Sequence, residues 1–186
     1  MPARLPLLAL AVIGGLLLTG CVAGDGAASE GAPAPEQGAE RARLELRAQQ
    51  EAHTALRRYR ERADEVGAFG WVAPASLRGL VGAHRFEREQ ADAERMRAEG
   101  WVQVGPTVVT AVEVLSLTAG HGRIGRVVAQ ACIDGSGARL VRLTDDDPRQ
   151  RDLSEPSARI VEVDLQRARS SSPLRVVALR ETGEEC

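Results

Sequence analysis

Lysine is absent. All 24 basic residues are arginine, which excludes Schiff-base chemistry and a lysine general base. Aromatic residues make up only 3% (Trp71, Trp101, Tyr59, Phe69 and Phe86), too few to build stacking platforms for a single strand of nucleic acid. No sign of charge dominates either. With 24 basic residues against 26 acidic ones the net charge is −2, so no broad surface attracts nucleic acid, and none is expected as a partner. Histidine is limited to His53, His84 and His121, and the chain contains neither His-x-x-x-His nor Cys-x-x-Cys. No metal site and no cofactor is therefore expected. Asp145-Asp146-Asp147 lacks the spaced ligands, central glycine and closing glutamate of a calcium loop and reads as a solvated turn before Pro148. Gly120, Gly122 and Gly125 do not follow the dinucleotide-binding spacing, and no nucleophile elbow is found.

What is present is a chain of 186 residues, 44% hydrophobic and 27% charged, the size and composition of one folded domain with extensions. It opens with an address. Arg4 precedes a nearly pure apolar run from Leu5 to Leu18, about 21 Å as a helix and short of a hydrocarbon core of ~30 Å. A charged start, an apolar middle and a small-residue exit are the parts of an export signal, here residues 1–20. The exit, Leu18-Thr19-Gly20-Cys21, resembles the lipobox of bacterial lipoproteins. That resemblance implies diacylglycerol on the Cys21 sulfur, cleavage just before Cys21, and two-chain anchoring to the outer face of the cytoplasmic membrane. Residues 21–38 are dominated by Gly, Ala, Pro and acidic side chains. They bury too little apolar area to offset ordering entropy, so they are expected to form a flexible tether with a typical reach of roughly 23 Å.

The folded part, residues 39–186, reads helix first and sheet second. From Ala39 to Val66 there is no Pro or Gly, and Leu44, Ala48, Ala52, Ala55, Tyr59, Ala63 and Val66 recur at helical spacing. Leu56 widens this stripe, and its many alanines let another surface approach closely. Arg57, Arg58, Arg60 and Arg62 read as a solvated face balanced by Glu51, Glu61, Asp64 and Glu65; anionic headgroups or an acidic partner are the alternative. A short helix is expected over Pro74 to Val81 and a third over Phe86 to Glu99. Beyond them, segments rich in Val, Ile and Leu predict strands over Val102 to Leu117, Ile124 to Asp134, Ala138 to Leu143, Ala158 to Leu165 and Leu174 to Glu181, separated by Gly, Asp, Ser and Pro turns. Short connections imply antiparallel neighbours. The fold class is α+β, a long N-terminal helix packed on an antiparallel sheet.

With Cys21 assigned to lipid, Cys132 and Cys186 remain. In an exported chain such a pair reads as a disulfide, worth about 4 kcal/mol in the chain-entropy model. A redox-active pair is the rival reading. Lipobox, acidic tether, long helix, Trp101-x-x-Val104-Gly105, Val128-Ala-Gln-Ala-Cys132-Ile-Asp134 and the terminal cysteine together resemble actinobacterial lipoproteins with a cystatin-like (NTF2-like) domain. The resemblance implies a curved sheet and a pocket between sheet and helix. Tyr59 and Glu113 are the candidate pocket residues, with Asp134 a further carboxylate. The expected function is that of a membrane-anchored, non-enzymatic binding or accessory module for an envelope partner or a small apolar ligand. The alternative is an isomerase- or cyclase-like enzyme pairing Tyr59 with a carboxylate.

Overall fold

The computed structural model describes residues 35–142 and 158–186. Cys21, the export signal, the tether up to residue 34 and the Asp145 to Asp147 turn lie outside the described residues. The first element, α1 (Pro35–Ala68), has 34 residues and so a length of about 51 Å at 1.5 Å per residue. It starts four residues earlier than expected, and 35–38 belong to the helix rather than to the tether. Proline suits a first turn, where its missing N–H would have no partner, and Glu36 and Gln37 are good helix formers. The expected stripe is the buried one: Ala48, Ala52, Leu56, Tyr59 and Val66 are all nearly inaccessible. Trp71 N–H donates to the Val66 carbonyl at 2.9 Å, and Gly70 and Trp71 turn the chain away at φ of 70° and 63°.

A 3-10 turn (Pro74–Leu77) follows, shorter than the helix expected up to Val81. Tertiary pairing overrides local propensity here. Gly82 N–H donates to the Val176 carbonyl at 2.9 Å and Val176 N–H to the Leu80 carbonyl at 3.0 Å, so residues 80–82 lie as a parallel bridge on the sheet edge. The chain then enters α2 (Ala83–Ala98), with Phe86 N–H bonded to the Gly82 carbonyl at 2.8 Å.

Six strands follow: β1 (Trp101–Val104), β2 (Val108–Gly120), β3 (Arg123–Asp134), β4 (Arg139–Arg142), β5 (Ala158–Arg167) and β6 (Leu174–Glu185). The single strand expected over Val102 to Leu117 is in fact two, in different sheets. The break is at Gly105-Pro106. Gly105 has φ of 86°, and a Cβ there would lie 1.9 Å from the Gly137 carbonyl oxygen, so only glycine lets this corner pack on the turn before β4. β1 pairs with β4 in a two-stranded sheet, and β2-β3-β5-β6 form a four-stranded antiparallel sheet.

One face of the larger sheet meets the α1 stripe. Val109 and Val112 of β2, Val127, Ala129 and Ala131 of β3, Val161, Val163 and Leu165 of β5, and Leu174 and Val176 of β6 share a core with Ala48, Ala52, Leu56 and Tyr59. Strand alternation turns the remaining side chains to the other face, where Arg126 and Asp164 pair at 2.7 Å and Arg180 and Glu162 at 3.6 Å. β2 is an edge strand interrupted by three register shifts, at Val109/Ala111, Val114/Ser116 and Thr118/Ala119. Cys132 and Cys186 form a disulfide with their Cα atoms 6.0 Å apart. It ties β3 to the end of β6 across the intervening β5.

Candidate functional site

Tyr59, the only tyrosine, sits on the sheet-facing stripe of α1 and is 1% exposed. Its hydroxyl donates to Glu89 Oε1 at 2.5 Å and accepts from Arg85 Nη2 at 2.8 Å, and Arg85 pairs with Glu89 at 2.5 Å. Arg85 and Glu89 are one turn apart on α2, so this cluster joins the two helices. The guanidinium groups of Arg85 and Arg60 lie 5.8 and 5.9 Å from the Tyr59 ring centroid. Burial, reinforced by the Glu89 carboxylate, pushes the Tyr59 phenol above its ordinary value of 10.0. Burial alone would lower Arg85, but Tyr59 and Glu89 outweigh it and hold the guanidinium more firmly charged. At neutral pH the cluster is a neutral phenol bridged to a largely enclosed ion pair. It can hold α2 on α1; with the hydroxyl enclosed, it has no room to take a substrate oxygen.

Glu113 is elsewhere. It is an exposed residue of β2, on a groove bounded by Leu44, Leu46 and Gln49 of α1 and by Val114, Leu115 and Leu117 of β2. The carboxylate that meets Tyr59 is Glu89, not Glu113. Asp134 caps the turn after β3 by accepting the Ser136 N–H at 2.8 Å, and that bond lowers its pKa. A second partly buried carboxylate, Asp64, accepts from Gln103 Nε2 at 2.7 Å and from the Thr107 N–H at 2.7 Å, fixing the end of α1 to the β1–β2 corner. His53 is half-buried on α1, His84 is exposed beside Glu87 at 3.5 Å, and His121 forms the β2–β3 turn. Among the described residues no three His, Cys, Asp or Glu side chains converge on a metal position.

The Glu89 and Arg85 contributions were missed in the sequence, although a signal existed. Phe86, Glu89, Ala93 and Met96 recur at spacings of 3, 4 and 3, so Glu89 lies in the one apolar stripe of a strongly charged helix.

A further concavity runs along another face of α1. Glu51, Ala55 and Arg58, with Gln50 and Thr54, form one wall, and Leu80, Arg167, Pro173 and Leu174 close the other side, around about 290 Å³. Arg167 is fully engaged: Nε donates to the Ile124 carbonyl at 2.8 Å, and its terminal nitrogens reach the Ser172 carbonyl and Glu51.

No known protein family matches the chain, and no curated protein does. Among solved structures it is similar to the intermembrane space region of the chloroplast protein ARC6, with a TM-score of 0.50, 9% identity, and coverage of 71% of this chain and 94% of that one. At that identity the likeness concerns the fold alone.

Proposed function

We propose that the protein is a lipid-anchored extracytoplasmic lipoprotein whose domain, of cystatin-like (NTF2-like) type with a curved sheet, binds a small apolar ligand or an envelope partner without catalysing a reaction. The observation that carries this reading is the contrast between a sealed Tyr59 and open concavities beside α1. The one phenol suited to polarise a carbonyl spends both its hydrogen bonds on Glu89 and Arg85, whereas the hollows lie at the margins of the helix–sheet contact, as binding sites do. Support for export comes from the Cys132–Cys186 bridge, since such bonds persist in oxidising compartments. Anchoring rests on Leu18-Thr19-Gly20-Cys21. The isomerase-like reading would now have to use Glu89 as the carboxylate beside Tyr59, and a phenol 1% exposed leaves no volume for the substrate.

Intact-mass measurement on the membrane fraction tests the proposal. The expected species begins at Cys21 and carries diacylglycerol, with Cys132 and Cys186 resistant to alkylation until reduced. A chain retaining residues 1–20 in the cytosol, with all three thiols alkylatable, would overturn it.

A further inference from the structure

We infer that the concavity between α1 and the β5–β6 turn is a site for a small amphipathic carboxylate, its head on Arg58 and its apolar part on Ala55, Leu80, Pro173 and Leu174. The inference rests on the ligand-binding reading above and names the ligand class. Three observations carry it. Gln50, Thr54 and Arg58 are spaced four apart, so they stand in one row along α1. None of their side chains has a hydrogen bond or ion pair with another described residue. They are a ladder of free donors along one rim, while Leu80, Pro173 and Leu174 on the opposite side are apolar. The charge count is equally specific. The lining holds Arg58, Arg167 and Glu51, and because Arg167 and Glu51 satisfy each other, one positive charge is left over.

That remainder selects a monoanion. A cation is repelled by Arg58, a neutral alcohol leaves its charge without a complement, and a phosphate monoester sets a second negative charge beside the Glu51 carboxylate with one free guanidinium to meet it. The volume of about 290 Å³, at roughly 30 Å³ per water-sized group, holds about ten non-hydrogen atoms. A six- to eight-carbon carboxylic acid has that size. Arg58 is exposed, so screening by water keeps its contribution modest and binding is expected in the millimolar range or somewhat tighter.

The test uses the full lipidated chain in lipid nanodiscs, with saturation-transfer NMR to hexanoate and subtraction of empty nanodiscs. Hexanoate is expected to bind and hexanol, hexylammonium and hexyl phosphate to bind at least about fivefold more weakly. Arg58→Gln should weaken hexanoate by about fivefold or more, Arg58→Lys should stay within about threefold, and Arg57→Gln should leave it unchanged. Binding of hexanoate to Arg58→Gln within twofold of wild type overturns the assignment, as does equal binding of hexanol or no saturation transfer at about 20 mM. The mass of the same sample reports the anchor. Lipid on Cys21 without hexanoate binding rejects the site alone, and hexanoate binding to a chain without lipid rejects the anchoring alone.

Discussion

Tyr59 shows how much one polar atom in a core can organise. Its hydroxyl is donor to Glu89 and acceptor from Arg85, and the two charges would be costly to enclose without it. Tyr59→Phe should lower unfolding free energy by about 1–2 kcal/mol in urea titration, because two partly buried partners each lose a hydrogen bond. Glu89→Ala should cost more, about 2–4 kcal/mol, since it strands the Arg85 charge. The pH dependence has a definite sign. The folded-state pKa of Tyr59 is raised, so its stabilising effect is complete below the unfolded value of 10.0 and is lost as pH rises through the folded value. Because the chain has one tyrosine, its tyrosinate absorbance should rise at higher pH than that of a free phenol, together with falling stability; an unshifted titration would contradict this. That Tyr59 faces the core was legible in the sequence, from its place in the row Ala52, Ala55, Tyr59, Ala63. Its partners were not: the stripe of Phe86, Glu89, Ala93 and Met96 marks Glu89 as facing inward, but it does not say which residue of another helix Glu89 meets.

Among the elements, α1 was the most readable, because 3.6-residue periodicity over so long a span excludes a strand. The strands from β3 onward were also legible from apolar runs bounded by turns. The segment over Val102 to Leu117 was not, since its apolar content is continuous through Gly105-Pro106 and nothing local says that the two halves join different sheets. The turn before β4 decides that, through a contact between distant backbones. Gly105→Ala places a methyl against the Gly137 carbonyl oxygen in a backbone region costly for alanine. It should destabilise by about 2–3 kcal/mol or more, read as a drop in melting temperature, with hydrogen exchange rising first in β1 and β4. The row of Gln50, Thr54 and Arg58 on α1 was visible as polar helix surface, but the wall facing it is assembled from Leu80 and from Arg167, Pro173 and Leu174, more than a hundred positions later.

For the molecule as a whole, the Cys132–Cys186 bridge closes a loop with a sequence separation of 54 that contains β4, β5 and β6. Replacing both cysteines by serine should lower stability by up to about 4 kcal/mol in the chain-entropy model, and limited proteolysis should then trim the chain from its last residues inward. The pairing could be read from the sequence by elimination, once export was assumed; that it straddles β5 could not. The open margin of β2 has a different significance. Its three register shifts keep the strand from offering an unbroken row of amides to another strand, although Val108 and Leu115 are about half exposed there. Proteins concentrated side by side risk zipping their margins into fibrils, and kinks of this kind frustrate such templating.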